Sequence, residues 1–134
     1  IKEKTPILGI CLGMQLLTKH SEEGDVEGLG WIDGETKKFS FEKEKLKIPH
    51  VGWNTVERKK NSLLFKEIPE ETPFYFTHSY HVTCKNKKNI AGTTRYGYEF
   101  VSAVKKGNIY GTQFHPEKSH KIGINIIKNF LELR

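Results

Sequence analysis

Apolar residues recur along the chain with two different periods, which predict a short strand-helix unit, a run of strands and a closing helix. Residues 6–10 are apolar and predict the first strand. Residues 11–19 predict a helix whose apolar side would hold Leu12, Met14, Leu16 and Leu17. Residues 21–30 are polar and contain several glycines, so they predict a loop.

From Trp31 onward the pattern predicts strands over residues 31–41, 47–58, 73–83, 90–94, 100–105 and 109–114. In the strand over 73–83, one face would hold Phe74, Phe76, His78, Tyr80 and Val82, and the other would hold Tyr75, Thr77, Ser79 and His81. Lys106-Gly107-Asn108 suits a tight hairpin between the last two strands. Ser119 is expected to cap a closing helix that runs to Leu133, with an apolar stripe at Ile122, Ile126, Phe130 and Leu133. This order of elements predicts an α/β domain with a mixed sheet.

Length and composition place the chain among single globular domains. Its 134 residues fit one domain over 1–134, and 36% hydrophobic with 28% charged residues argue against disorder. The net charge of +6 is interpreted as lysines on solvated turns, although an acidic partner surface or a phosphorylated substrate would also suit it. Two cysteines predict no disulfide framework and favour a reduced, cytoplasmic protein. No stretch is long and apolar enough to span a bilayer, so no membrane association is expected.

Gly9-Ile10-Cys11-Leu12-Gly13 has the form of a nucleophile elbow, with cysteine in place of serine. Such a turn is sharp and strained, and its glycines leave room for tight packing and for an approaching substrate. The thiol would lie at a helix N-terminus, where unpaired amides favour the thiolate. The backbone N–H of Leu12 would point at a developing oxyanion. The plainer interpretation is a buried cysteine in an ordinary strand-to-helix turn.

His115-Pro116-Glu117 supplies the groups that a cysteine nucleophile needs. A base must take the thiol proton, and a further group must orient that base. His115 suits the first role, and the Glu117 carboxylate suits the second because it also stabilises an imidazolium. By itself the tripeptide would equally suit a loop with a solvated charge, but together with Cys11 it predicts a catalytic triad.

Two longer motifs resemble those of the class I, or triad, glutamine amidotransferases. They are residues 9–15, Gly-Ile-Cys-Leu-Gly-Met-Gln, and residues 111–119, Gly-Thr-Gln-Phe-His-Pro-Glu-Lys-Ser. Residues 49–54, Pro-His-Val-Gly-Trp-Asn, and residues 74–80, Phe-Tyr-Phe-Thr-His-Ser-Tyr, narrow the resemblance to the glutaminase subunit of imidazole glycerol phosphate synthase, from histidine biosynthesis. The resemblance runs over essentially the whole chain and implies a flavodoxin-like α/β fold.

The resemblance implies hydrolysis of L-glutamine to glutamate and ammonia by Cys11, His115 and Glu117. The residues that would bind the glutamine are Gly13, Gln15, Glu23, Ser79 and Tyr80. Those that would face a partner and gate the site are Trp53, Tyr75 and Lys118. The plainer interpretations are core aromatic residues at Trp53 and Tyr75, and solvated loop charges at Glu23 and Lys118.

The implied partner is a (β/α)8 cyclase, held in a heterodimer, that uses the ammonia to make imidazole glycerol phosphate and AICAR. No cofactor and no metal is implied. The first strands of the family, and the glycine-rich loop that supplies a second oxyanion donor, are expected to precede Ile1. The sequence is therefore expected to represent the amidotransferase domain without its N-terminal strands.

Three other interpretations stay open. A related amidotransferase that aminates a bacterial surface-sugar precursor would carry the same types of glutaminase residue. A metal or redox site is opposed by the absence of Cys-x-x-Cys, and its ligands would come from Cys11, Cys84, His78, His81, His115 and His120. In particular, His78 and His81 are expected on opposite faces of their strand. A nucleic-acid binder would suit the basic charge, but no recognised binding motif occurs and the aromatic residues fall in strands expected to be buried.

Overall fold

The computed structural model describes residues 5–41, 46–59 and 62–133. Within those ranges the strands form a nine-stranded mixed sheet and a separate two-stranded sheet. The strands are β1 (Ile7–Ile10), β2 (His20–Ser21), β3 (Val26–Glu27), β4 (Gly34–Lys38), β5 (His50–Thr55), β6 (Glu57–Arg58), β7 (Pro73–His78), β8 (Tyr80–Cys84), β9 (Ile90–Tyr96), β10 (Tyr98–Lys106) and β11 (Ile109–Thr112). The helices are α1 (Leu12–Gln15) and α2 (His120–Leu131), with 3-10 turns at Glu23–Asp25, Leu63–Phe65, Lys87–Asn89 and Pro116–Lys118. The predicted α/β class with a mixed sheet is confirmed.

The large sheet runs in the order β1-β11-β10-β8-β4-β2-β3, with β9 beside β10 and β6 beside β9. Strands β1 and β11 are parallel, with Gly9 opposite Gly111 and Ile10 opposite Thr112. Their carboxyl ends therefore meet at one edge of the sheet, and the residues that follow each strand are neighbours. Strand β11 is reached from β10 by a tight hairpin in which Lys106 pairs with Ile109, as the sequence predicted.

The strand predicted over residues 73–83 is broken at Ser79. Strand β7 pairs with β5 in the small sheet, whereas β8 pairs with β4 and β10 in the large one. The expected alternation holds as far as His78, and then the adjacent residues His81 and Val82 are both buried. The rings of His78 and His81 lie 5.1 and 4.9 Å from the ring of Phe39, so both join one aromatic cluster. The prediction that these histidines face opposite sides was wrong, because the break changes the phase of the alternation.

The helix after Cys11 is much shorter than the predicted one. It ends at Gln15, whose carbonyl oxygen accepts a 2.8 Å hydrogen bond from the Thr18 hydroxyl, whereas the Lys19 N–H donates to the Gly34 carbonyl oxygen. Met14 and Leu17 are buried, as predicted for the apolar side of this helix. Leu12 and Leu16 are 55% and 48% exposed, so the prediction was wrong for these two residues. The loop predicted over 21–30 instead contains β3, which pairs with β2, and a 3-10 turn.

Helix α2 covers one side of the core near the carboxyl end of β11. Ile126 is fully buried, whereas Ile122 of the predicted stripe is 38% exposed. The Asn129 amide donates 2.9 Å hydrogen bonds to the carbonyl oxygens of Leu64 and Lys66, which fasten the helix to the turn beneath it. Across the described ranges, neither helix has the length and apolar character needed to cross a membrane.

Candidate active site

Cys11 occupies the turn between β1 and α1 in a strained backbone conformation. Its φ of 54° and ψ of −109° lie outside the regions that residues with a side chain favour. Its N–H donates a 2.7 Å hydrogen bond to the Thr112 carbonyl oxygen, which ties the turn to β11. A Cβ on Gly9 would lie 2.6 Å from the Gly13 carbonyl oxygen, whereas a Cβ on Gly13 would meet nothing within 4 Å. The sharp turn predicted from the pentapeptide is confirmed, with Gly9 on its packed side and Gly13 on its open side.

His115 and Glu117 follow β11 at the same edge of the sheet as Cys11. The His115 N–H donates to the Tyr75 carbonyl oxygen at 2.9 Å, which holds this segment beside β7. The Nδ1 atom of His115 lies 3.2 Å from Oε2 of Glu117. That contact occupies one ring nitrogen and leaves Nε2 for proton exchange with a second group. The Glu117 carboxylate therefore lies where a group that orients the imidazole is needed.

Besides the Leu12 N–H, the Cys11 thiol has two hydrogen-bond contacts, and neither is to His115 in the described part of the chain. Its Sγ lies 3.9 Å from the Thr77 carbonyl oxygen and 3.5 Å from Nε2 of Gln113. Burial raises the pKa of the Cys11 thiol, and hydrogen bonds from the Leu12 N–H and the Gln113 amide lower it by less. The Leu12 N–H at the helix N-terminus favours the thiolate, as expected, but burial outweighs its effect on the pKa. The helix is one turn long, and the loss of solvent around the sulfur has the larger effect.

Gln15 and Gln113 form a buried amide network behind the sulfur. Nε2 of Gln15 donates to the Tyr80 carbonyl oxygen at 3.1 Å and to Oε1 of Gln113 at 3.0 Å. Nε2 of Gln113 in turn donates to Cys11 Sγ. No role was predicted for Gln113 from the sequence. Its position directly after a buried strand and two residues before His115 was the available signal.

A family model described as Glutamine amidotransferase class-I matches residues 1–133. This chain belongs to the class I glutamine amidotransferase family. The resemblance stated from the cysteine and His-Pro-Glu motifs is thereby confirmed.

Two curated relatives narrow the match within the amidotransferase family. A Methanococcus maripaludis protein named imidazole glycerol phosphate synthase subunit HisH 2 is 55% identical over 132 residues, which are 98% of this chain and 65% of that protein. A Leptospira borgpetersenii protein named imidazole glycerol phosphate synthase subunit HisH is 50% identical over 135 residues, covering 99% of this chain and 66% of that protein. The chain thus spans just under two thirds of the length of these relatives. The narrower resemblance to this subunit is also confirmed.

The fold is shared with solved structures of the amidotransferase family. A glutamine amidotransferase from Thermotoga maritima superposes with a TM-score of 0.64 at 23% identity, covering 98% of this chain and 49% of that one. At this level of identity the likeness concerns the fold. It agrees with the flavodoxin-like α/β architecture implied by the sequence motifs.

Several residues that the amidotransferase resemblance assigned to glutamine binding have no contact with the thiol. Glu23 is exposed in a 3-10 turn, where its N–H donates a 3.1 Å hydrogen bond to the Ser21 hydroxyl oxygen. The Ser79 carbonyl oxygen accepts a 3.0 Å hydrogen bond from Phe39. Tyr80 reaches the site through its backbone carbonyl, which binds Gln15. The structure therefore brings Gln15 and the Tyr80 backbone to the site of Cys11, and it shows no such contact for Glu23 or Ser79.

The three residues assigned to a partner surface lie around the His115 segment. Trp53 pairs with Tyr75 across the small sheet, with ring centroids 5.7 Å apart. Trp53 is 47% exposed and stacks on His120 at 5.0 Å and 10°, so the interpretation of Trp53 as a core residue was wrong. The exposed residue Lys118 donates from its N–H to the His115 carbonyl oxygen at 3.1 Å.

An open apolar groove of about 730 Å³ lies next to these residues. Its lining consists of Trp53, Thr72, Pro73, Ser119, His120, Lys121 and Ile122. His120, the first residue of α2, has a φ of 56° and contributes to this lining. The groove adjoins the segment that carries the candidate base.

Ser119 has a role that the sequence analysis missed. Its side chain makes no capping hydrogen bond to α2, contrary to expectation. Instead its buried hydroxyl accepts from the Tyr75 N–H at 3.0 Å and donates to the His115 carbonyl oxygen at 2.6 Å. The hydroxyl thus adds a second link between the His115 segment and β7, besides the His115 N–H.

The remaining candidate ligands do not gather into a metal site. Among the residues that the structure describes, no group of three or more His, Cys, Asp or Glu side chains is placed to hold a metal ion. Cys84 lies in β8, and burial, with the nearby Asp33 carboxylate, raises the pKa of its thiol to about 11. His50 and His78 are buried, with Nδ1 of His50 3.0 Å from Nε2 of His78.

Proposed function

We propose that this chain provides the glutaminase residues of imidazole glycerol phosphate synthase and hydrolyses L-glutamine to L-glutamate and ammonia. The names of the curated relatives support this subunit, and family membership supports the reaction. The observation that carries the proposal is the parallel pairing of β1 with β11, which brings Cys11 and the His115–Glu117 pair to one edge of the sheet. A nucleophile and an oriented base are the groups that amide hydrolysis through a covalent intermediate requires.

The first half of the proposed reaction forms a thioester. Nε2 of His115 takes the thiol proton, and the Cys11 sulfur attacks the side-chain amide carbon of glutamine. The carbonyl oxygen becomes an oxyanion, which the Leu12 N–H stabilises. An N–H in such a position typically contributes about 10²–10³ in rate. The carbon–nitrogen bond then breaks, and the His115 imidazolium returns its proton to the leaving ammonia.

The second half hydrolyses the thioester. His115 takes a proton from water, the resulting hydroxide attacks the thioester carbon, and the carbon–sulfur bond breaks to release glutamate and the thiolate. Glu117 stabilises the imidazolium in both halves through its contact with Nδ1. The thiol hydrogen bond to the Thr77 carbonyl oxygen must be given up before the proton passes to His115.

The glutamine substrate is proposed to lie on the open side of the elbow, over Gly13, where a Cβ would meet nothing. Both amide hydrogens of Gln15 are occupied by Tyr80 and Gln113, so its oxygen is the atom left to accept from the substrate ammonium group. Glu23, Ser79 and Tyr80 are proposed to complete the binding of the amino-acid head group. No metal or cofactor takes part in the proposed steps.

The proposed acceptor of the ammonia is a (β/α)8 cyclase that makes imidazole glycerol phosphate and AICAR. Trp53, Tyr75 and Lys118 are proposed to face it. The half-exposed indole of Trp53 and the apolar groove beside it support a docking surface at this place, because solvated surfaces seldom leave large apolar groups together. The Lys118 N–H hydrogen bond to the His115 carbonyl supports a gate that the partner could move.

The proposed nucleophile is tested by labelling the intact protein with a glutamine-like chloroketone and mapping the label by mass spectrometry. Label is expected on Cys11, with Cys84 as the internal control because its pKa is raised to about 11 and it lies in a strand away from His115. Glutamate release by the wild type, and its loss in Cys11→Ser, are expected in parallel. Label on Cys84 alone would contradict the assignment.

The proposed pathway is tested by growth and by reconstitution. The intact gene should restore growth without histidine to a strain that lacks this subunit. The protein should also let the cyclase turn over with glutamine as the only source of ammonia. Failure of both, with glutaminase activity present, would favour a related amidotransferase that serves a surface-sugar precursor.

A further inference from the structure

A chain of hydrogen bonds leads from the Tyr80 backbone to the Cys11 sulfur. Tyr80 accepts from Gln15, Gln15 donates to Gln113, and Gln113 donates to Cys11. Gln113 has no exposed surface and Gln15 is nearly buried, so both amides are largely shielded from solvent. Only the last of these contacts touches the atom that reacts in the proposed function.

The network determines which end of the Gln113 amide faces the sulfur. A backbone carbonyl can only accept, so the end of Gln15 that faces Tyr80 must be its nitrogen. The same nitrogen carries a second hydrogen, which is donated to Gln113, so the end of Gln113 that faces Gln15 must be its oxygen. Its N–H group is thereby directed at Cys11 Sγ.

This orientation matters because the two neighbours of the sulfur favour opposite protonation states. The Thr77 carbonyl oxygen accepts from the S–H group and so stabilises the neutral thiol. The Gln113 N–H donates to the sulfur and binds an anion more strongly than a neutral atom. When the thiol proton leaves for His115, the Thr77 contact loses its hydrogen and the Gln113 contact strengthens.

We propose that Gln113 is a catalytic residue that donates a hydrogen bond to the Cys11 thiolate, and that Gln15 is a positioning residue that holds the Gln113 amide in the required orientation. The inference rests on the proposed role of Cys11 as nucleophile. Gln113 exchanges no proton in this scheme, because the thiol proton passes to Nε2 of His115. The Gln113 N–H therefore adds a third interaction at the sulfur, besides the Leu12 N–H and the proposed interaction with the His115 imidazole.

The test is the pH dependence of alkylation of each cysteine by iodoacetamide, followed by mass spectrometry on the intact protein. In Gln113→Leu, the midpoint for Cys11 should rise so that alkylation near neutral pH slows about tenfold, which is the usual effect of losing one hydrogen bond to a charged group. Gln113→Glu should slow it further, because a carboxylate repels the thiolate. Cys84 lies outside the network and should keep its wild-type profile in every variant.

A second variant separates the donor from the packing of the side chain. Gln15→Leu leaves Gln113 in place but frees its orientation, so the Cys11 profile should move in the same direction by a smaller amount. It also keeps the inference testable if Gln113→Leu does not fold, which thermal melts and circular dichroism would reveal. An unchanged Cys11 profile in a folded Gln113→Leu protein, or in a folded Gln15→Leu protein when Gln113→Leu fails to fold, would overturn the inference. An equal shift at Cys84 would do the same.

Glutamine turnover distinguishes this inference from the proposed function. Gln113→Leu should lower kcat by roughly tenfold with KM little changed, because the Gln113 amide acts on the thiolate and does not contact the substrate. If the wild type released no glutamate, the proposed function would be refuted. The alkylation profiles would still report whether Gln113 acts on the thiolate. A raised KM with an unchanged kcat would instead show that the network serves substrate binding, and would overturn the role assigned to Gln113.

Discussion

The hydroxyl of Ser119 donates a 2.6 Å hydrogen bond to the carbonyl oxygen of His115. The same hydroxyl accepts from the Tyr75 N–H, and Tyr75 accepts in turn from the His115 N–H. A closed set of hydrogen bonds therefore surrounds the backbone of the candidate base. These hydrogen bonds hold the segment against β7, and the position of the imidazole depends on how firmly it is held.

Ser119→Ala should loosen that segment. The Tyr75 N–H would be left without a partner in a partly buried place, which should lower the free energy of unfolding by about 1–3 kcal/mol. Displacement of the imidazole should also lower kcat by roughly tenfold or more. Chemical denaturation and glutamate release measure the two effects. Ser40→Ala, at an exposed position, is the matched control and should change stability by less than about 0.5 kcal/mol. Equal behaviour of the two variants would contradict the role of Ser119.

Alanine at the two glycines of the elbow should have opposite effects on folding. In Gly9→Ala the new Cβ would lie 2.6 Å from a backbone oxygen of α1, so the helix must move away from β1 at a cost of about 1–3 kcal/mol. In Gly13→Ala the Cβ enters open space, and the helix should be stabilised by up to about 1 kcal/mol. Thermal melts compare the two variants.

The open side of the elbow gives Gly13→Ala a second expected effect. A methyl group there would intrude on the space proposed for glutamine, so KM should rise several-fold although the protein is at least as stable. A wild-type KM in a folded Gly13→Ala protein would show that the substrate approaches from elsewhere.

The buried histidines should make the protein sensitive to acid. Burial lowers the pKa of His50 to about 4 and that of His78 to about 3, so the folded protein keeps both rings neutral at pH values where the unfolded chain binds protons. The stability that they contribute is present above about pH 6.5 and is lost as the pH falls towards 4. Near pH 5, unfolding should take up about two extra protons, which urea titrations at several pH values measure.

Replacing both rings tests this origin of the pH dependence. The double variant His50→Phe with His78→Phe should flatten the loss of stability between pH 6.5 and 4. Phenylalanine suits the first position because the His50 ring stacks on Tyr96 at 4.0 Å and on Phe76 at 4.9 Å. His20→Gln is the control, since His20 is half-buried at the surface beside Asp25. A double variant with the wild-type slope would mean that other groups cause the acid response.

Lys118→Ala should affect coupling to the partner more than it affects folding. The side chain is exposed, but the backbone of Lys118 binds the His115 carbonyl oxygen, so a partner that pulls on the lysine moves the base. Stimulation of glutamate release by the cyclase should fall several-fold, while the thermal midpoint stays near that of the wild type. Lys128→Ala, at an exposed position further along α2, is the control. Unchanged stimulation and affinity would leave Lys118 as a solvated loop lysine.

The order of the elements, and the two segments that carry Cys11 and His115, were predictable because they depend on local sequence. The turn at Cys11, the hairpin after Lys106 and the closing helix were all predicted near their observed positions. Less local features were predicted poorly. The alternation over residues 73–83 gave no sign that Ser79 separates two sheets, because both halves consist of residues that suit strands. The exposure of Leu12 and Leu16 was equally hidden, since their apolar character predicts burial in any helix.

The sequence by itself determined the chemical types at the site and the strained turn that presents Cys11, because a nucleophile between glycines after an apolar strand constrains the backbone over a few residues. Only the tertiary structure decided what surrounds the sulfur. The amide of Gln113, the carbonyl of Thr77 and the hydroxyl that holds His115 reach the site from segments up to about a hundred residues apart. Hydrogen bonds across such separations depend on strand pairing and register, which no local pattern encodes. For the same reason the raised pKa of the Cys11 thiol follows from burial, a property that its own neighbours in sequence do not specify.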